Sequence, residues 1–80
     1  MRAKKSLGQN FLNSKTVAQD IVRAAMVIPA DTVLEIGPGK GSLTEEILKT
    51  GASVIAVEKD DRMIPLLQEK FAEKIALGQF

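Results

Sequence analysis

Three glycines alternate with other residues in Gly37-Pro38-Gly39-Lys40-Gly41, and no other segment constrains the fold of this chain as much. Ahead of it, Val33-Leu34-Glu35-Ile36 is short and β-branched, follows Asp31 closely, and reads as a strand. Behind it, Ser42 and Glu45 have the S-x-x-E spacing of a capping box, with Leu43, Ile47 and Leu48 as the apolar helix face. Gly51 stands where a left-handed residue closes such a helix. Ser53 to Val57 gives a second strand, nearly all apolar as a strand covered on both faces would be, and it ends at Glu58. Strand, glycine loop, helix and strand make a βαβ unit, with two parallel strands joined by a right-handed crossover.

Upstream, Asn13 and Ser14 can cap a helix whose apolar positions Val17, Ala18, Ile21, Val22, Ala25 and Ile28 recur at helical spacing until Pro29 stops it. Downstream, a last helix starts near Asp60 or Asp61, takes Pro65 in its first turn and buries Ile64, Leu67, Phe71 and Ile75. The fold class is therefore α/β: one helix, then βαβα with two parallel strands whose outer edges and much of whose faces stay uncovered. A chain of 80 residues hides only ~60–65% of the surface its unfolded form exposes, so an incomplete domain is expected rather than a full-sized enzyme core.

Composition narrows the chemistry. Cys and His are both absent, which removes disulfides, thiolate and imidazole metal sites, and Ser-His-Asp or Cys-His catalysis; no metal is expected. The longest apolar run, Ala24 to Ala30, falls far below the ~18 residues that span a bilayer, so no membrane partner is expected and cytoplasm is the expected compartment. Net charge is only +1, yet residues 1–30 carry Arg2, Lys4, Lys5, Lys15 and Arg23 against Asp20 alone. A basic N-terminal arm can neutralise phosphates, although solvated lysines are the commoner meaning of such a run.

By position, the glycine segment is a cofactor loop, since absent Cβ atoms permit positive φ and let a ligand approach the backbone. The following helix offers free N–H groups and a positive dipole end. A dinucleotide fingerprint, G-x-G-x-x-G/A, would need a small apolar residue at position 42, where Ser42 stands; the spacing here is G-x-G-x-G. Glu58 closes the second strand twenty-one residues after Gly37, where a carboxylate can accept hydrogen bonds from both hydroxyls of a ribose. Glu35, inside the first strand, must find donors in the loop or face the ligand; loop support is favoured, with a cationic amine of the ligand nearby. Lys40 and Lys59 are read as solvated rather than catalytic, and Asn10 as a surface amide or a cap on the approach to the helix.

Three stretches together are similar to one family: Lys5-Ser6-Leu7-Gly8-Gln9-Asn10-Phe11-Leu12, Val33 to Thr44 with its E-I-G-P-G-K-G core, and Val54-Ile55-Ala56-Val57-Glu58-Lys59-Asp60. They resemble the S-adenosylmethionine-dependent ribosomal RNA adenine dimethyltransferases, over residues 4 to about 74. The small-subunit branch is closer than the erythromycin-resistance branch, which methylates large-subunit RNA, chiefly through K-K-S-L-G-Q-N-F-L. The resemblance implies the N-terminal part of a Rossmann-like class I methyltransferase fold, with residues 1–12 a basic arm contributing to the cofactor site and 13–80 an incomplete S-adenosylmethionine-binding domain. It implies that Gln9, Asn10 and Leu12 border the cofactor, that Gly37, Gly39 and Gly41 pack against it with Glu35 and Lys59 beside them, and that Glu58 holds the ribose. It also implies small-subunit ribosomal RNA or a pre-ribosomal subunit as partner, met by Arg2, Lys4 and Lys5. Phe11 would bury its ring beneath the loop on either reading.

In that family an N-[LIV]-P-[YF] motif holds the target adenine, and an acidic residue after the third strand reads the adenine of the cofactor. Asn10 and Asn13 are the only asparagines here and Tyr is absent, so neither the catalytic motif nor the C-terminal helical domain is in this sequence. The chain alone is expected to be inactive. Two other classes share part of the pattern: a nicotinamide oxidoreductase half-domain, through the loop and Glu58, and an inactive RNA-binding remnant, through the basic arm.

Overall fold

Strand alternation decides which side of this chain is core. Val33, Glu35 and Val54 are buried, whereas Ile36, Ile55 and Val57 on the opposite side of the same strands are exposed, so one face of the sheet is covered and the other is open. The computed structural model describes the backbone of residues 2–4 and the whole of residues 15–80. The order is β1 (Arg2–Lys4), α1 (Lys15–Ala24), β2 (Thr32–Ile36), α2 (Ser42–Lys49), β3 (Ser53–Val57), α3 (Met63–Lys70) and α4 (Ala72–Ala76).

β2 and β3 pair in parallel with Val33 opposite Val54 and Ile36 opposite Val57, the βαβ unit expected from the sequence. The short β1 adds a parallel strand on the other edge of β2, with Lys4 opposite Glu35, so the sheet has the order β1-β2-β3 rather than two strands alone. Both crossovers step the same way across the sheet, and right-handed connections of that kind deposit their helices on one face. Ala18 of α1 accordingly joins Val33, Val54, Leu43, Ile47, Leu48, Leu67 and Phe71 in a single cluster. β3 has the apolar composition of a strand covered on both faces, but among the described residues its cover lies on one side and Ile55 and Val57 are bare, as expected of strands whose faces stay largely uncovered.

Helix boundaries depart from the periodicity in two places. α1 ends at Ala24, short of Ile28, because Met26 takes a left-handed φ of 55° and its N–H turns back to the Arg23 carbonyl. Ile28 precedes Pro29, which disfavours helical backbone, and instead its N–H is held by Asp31. The single last helix is two, broken at Phe71 (φ −113°, ψ 28°). Leu67 and Phe71 are buried as expected; Ile64 is half-buried, and Ile75 lies on the exposed side. Gly51 takes φ 93° just past the Thr50 cap, the left-handed closure its position required. On the side of β3 away from β2, the Val54 N–H donates to the Gln79 carbonyl at 2.8 Å. The expected caps Asn13 and Ser14, and Phe11, lie outside the described residues. Among the described residues no helix is long and apolar enough to cross a membrane, and no cluster of three or more His, Cys, Asp or Glu side chains could hold a metal ion.

Candidate functional site

The site forms where β2 and β3 end side by side. The ladder continues one step past β2, the Gly37 N–H donating to the Val57 carbonyl at 2.8 Å, and the chain then turns through Pro38 with the Gly41 N–H on the Pro38 carbonyl at 2.9 Å. Gly37, Gly39 and Gly41 take φ of 69°, 57° and 88°, values an L side chain rarely adopts, so the loop needs its glycines at all three alternate positions.

Gly41 has a second reason to be glycine. A Cβ there would lie 2.6 Å from Cε2 and 2.9 Å from Cζ of Phe71, and 3.2 Å from Cδ2 of Leu67. The third glycine therefore lets the end of α3 pack against the loop, where Lys70 Nζ also donates to the Lys40 carbonyl at 3.1 Å. Gly41 is also the N-cap of α2, and no side chain caps that helix. The expected Ser42/Glu45 capping box is thus corrected: Ser42 is already the first helical residue, so its hydroxyl is past the cap position, and the Glu45 carboxylate lies 3.8 Å from Lys49 and 3.9 Å from Lys70.

Glu58 stands at the end of β3 with both oxygens engaged. Oε1 accepts the Gly39 N–H at 3.0 Å and Oε2 the Asp60 N–H at 2.9 Å. The carboxylate is thereby fixed to the glycine loop, and each oxygen keeps a further lone pair for an outside donor. Asp60 in turn caps the following turn, accepting from the Arg62 N–H at 3.0 Å and from its guanidinium at 2.9 and 3.0 Å, which holds the Asp60 carboxyl below the usual aspartate value.

Glu35 lies beneath the same loop, fully buried on the covered face of β2. Its Oε1 accepts the Thr44 hydroxyl from the first turns of α2, while Oε2 has no hydrogen-bond partner among the described residues. Burial pushes its pKa above the ordinary glutamate value; the Thr44 hydrogen bond works against that and the nearby Glu58 charge adds to it.

Gly37, Gly39, Gly41, Glu35 and Glu58 are thus brought together at one edge. Lys59 is next to them in the chain and exposed, as is Lys40. Arg2 and Lys4 fall in β1, whose parallel direction places its end at the same edge as the glycine loop. Lys5, Gln9, Asn10 and Leu12 lie outside the described residues. The sequence reading missed Thr44 and the Gly39 link to Glu58. A hydroxyl nine residues after a strand carboxylate was a signal for the first, but a backbone N–H carries no sequence signal.

Parallel β2 and β3, a glycine loop opening α2, and a carboxylate closing β3 define the class: the N-terminal part of a Rossmann-like methyltransferase fold. The model of the ribosomal RNA adenine dimethylase family matches residues 1–78, and the chain belongs to that family. It is 55% identical over 71 residues to a ribosomal RNA small subunit methyltransferase A of Dehalococcoides mccartyi, covering 89% of this chain and 24% of that protein. The proteins of the same name from Thermotoga maritima and Caulobacter vibrioides are 52% and 54% identical over 73 and 67 residues, covering 91% and 84% of this chain. In both cases 26% of the relative is covered, so the chain spans about a quarter of the length of the curated relatives it matches.

Proposed function

We propose that the chain is the cofactor-binding N-terminal part of an enzyme that dimethylates adenine N6 in small-subunit ribosomal RNA, with S-adenosylmethionine as methyl donor. The observation that carries this is Glu58, fixed to the glycine loop through the Gly39 N–H at the end of the second strand of the βαβ unit, where a ribose is held in domains of this kind. Membership of the family and likeness to proteins named for small-subunit RNA select methyl transfer over hydride transfer and the small-subunit branch over the erythromycin-resistance one.

The residues fit such a cofactor. Gly37 and Gly39 present backbone that a ligand can approach closely, Glu58 has lone pairs left for two hydroxyls, and a buried carboxylate oxygen of Glu35 awaits a donor. S-adenosylmethionine supplies a methyl group on a sulfonium that is already a good leaving group. What these residues contribute is position: Glu58 and the loop, being one hydrogen-bonded unit, set the ribose and with it the direction of the methyl. Gln9, Asn10 and Leu12 extend the site from the arm, which follows β1 on the side where the glycine loop lies. Lys59 supplies positive charge beside the ribose carboxylate. Arg2, Lys4 and Lys5 meet RNA phosphates.

Competition separates this from the alternatives. Fluorescence of bound NADH, followed while S-adenosylmethionine is added to the purified chain, should show no NADH bound at concentrations that saturate the chain with S-adenosylmethionine. Tight NADH binding would favour the oxidoreductase half-domain. RNA binding that falls steeply with salt, with no S-adenosylmethionine bound at any concentration, would favour the RNA-binding remnant.

A further inference from the structure

Glu35 is the most deeply buried ionisable side chain among the described residues, and the donor it meets is Thr44 of α2 rather than the loop donor expected from the sequence. Thr44 satisfies Oε1; Oε2 is equally shut off from water and has no partner among the described residues. Among the described residues, the charged group that acts on it is another carboxylate, Glu58 at the end of β3. From α2 it meets the neutral Thr44 hydroxyl, since Glu46 pairs with Lys49 at 3.1 Å, and Glu45 is near Lys49 and Lys70. On α1, Asp20 and Arg23 pair with each other at the surface, and across β1 the register partner of Glu35 is Lys4. A carboxylate so placed is destabilised as an anion by burial and by its neighbour, and a proton on Oε2 relieves both.

We propose that Glu35 holds a proton on Oε2 while the site is empty and yields it when a cationic group of the cofactor settles beside that oxygen, so that cofactor binding releases one proton. The O–H bond breaks, the electron pair stays on Oε2, and the proton passes to solvent or buffer. The carboxylate left behind is neutralised by the ligand's ammonium or sulfonium. This inference rests on the cofactor site proposed above. It makes Glu35 a specificity-determining residue, one that rewards positive charge in the ligand and gives nothing to a neutral analogue. By linkage, affinity rises with pH, by up to about tenfold per unit, between the Glu35 pKa in the complex and its higher value in the free chain, and is level above the latter.

The test is calorimetric titration of the 80-residue chain with S-adenosylmethionine between pH 5 and 7, in paired buffers of different ionisation enthalpy. The expected result is proton release approaching one per cofactor below the free-chain pKa of Glu35 and fading above it, with affinity rising until that point, and a Glu35→Gln variant that binds with no pH dependence and releases none. Binding of S-adenosylmethionine with no proton released at any pH would overturn the inference and leave the cofactor site standing. Failure of the wild-type chain to bind at all would overturn both. Carboxyl carbon NMR shifts of Glu35 in the free chain give a reading that needs neither ligand nor variant. Titration at the ordinary glutamate value would refute the proton on Oε2, and titration above it, moving downward on cofactor addition, is the expected result.

Discussion

Replacing Gly41 with alanine puts the loop, α2 and α3 in conflict at a single atom. The new Cβ would stand 2.6 Å from Cε2 and 2.9 Å from Cζ of Phe71, whose ring is itself held edge-on against Phe80 at 5.2 Å between centroids. Backbone at φ 88° adds ~1–2 kcal/mol for any residue with a Cβ, and overpacking of this kind costs a further ~1–3 kcal/mol. The sum, about 2–5 kcal/mol, compares with a total stability of ~4–12 kcal/mol for a domain of this length. Urea unfolding followed by far-UV circular dichroism should show the midpoint falling by about 2 M or more, at a slope of ~1 kcal/mol per molar. A second variant, Gly41→Ala with Phe71→Leu, removes the ring contact and leaves the backbone strain, so it should recover stability relative to Gly41→Ala only in part. A Gly41→Ala midpoint within about 0.5 M of wild type would refute the packing role assigned to the third glycine.

Three further outcomes follow from the same geometry. Ile47→Ala, inside the covered core, should cost ~2–5 kcal/mol, whereas Ile55→Thr on the open face of the sheet should change stability by less than ~1 kcal/mol; equal losses in urea unfolding would mean that the open face is not open. Because the folded-state pKa of Glu35 is raised above 4.5, the folded chain binds its proton more tightly than the unfolded chain. Its contribution is complete below that value and is lost as pH rises through the folded-state pKa; Glu35→Gln should flatten the fall, measured by thermal melts from pH 4 to 8. Arg62→Ala should return the Asp60 carboxyl, now held low, toward 3.8 in an NMR titration, and an unmoved titration would show that the Arg62 contacts do not set it.

The βαβ unit was legible because its signals are local: a β-branched run, three alternating glycines and a left-handed closure at Gly51 each report on a few neighbouring residues. Glu58 was legible by the same logic, as a carboxylate at the end of the second strand. What was not legible depended on contacts between distant parts of the chain. β1 pairs with β2 across thirty residues, and a three-residue segment carries too little alternation to announce a strand. The capping box was a true spacing in the wrong frame, because Gly41 took the cap and moved Ser42 into the helix. The break at Phe71 and the second duty of Gly41 are one packing arrangement seen from two sides, and nothing in either residue's neighbours points to the other. Thr44 and the orphaned oxygen of Glu35 likewise become visible only when α2 is laid on β2.

On the proposed function, Glu58, locked to the glycine loop, holds the ribose of S-adenosylmethionine. Its most direct test is a calorimetric cycle of four titrations: wild type and Glu58→Ala, each with S-adenosylmethionine and with the analogue lacking the ribose 2′ hydroxyl. A hydrogen bond to a charged group is worth ~1.5–3 kcal/mol, so wild type should bind the analogue about ten- to a hundredfold more weakly, and Glu58→Ala should bind both ligands alike. If the missing hydroxyl weakens binding equally in both proteins, Glu58 serves the loop alone and the ribose is held elsewhere.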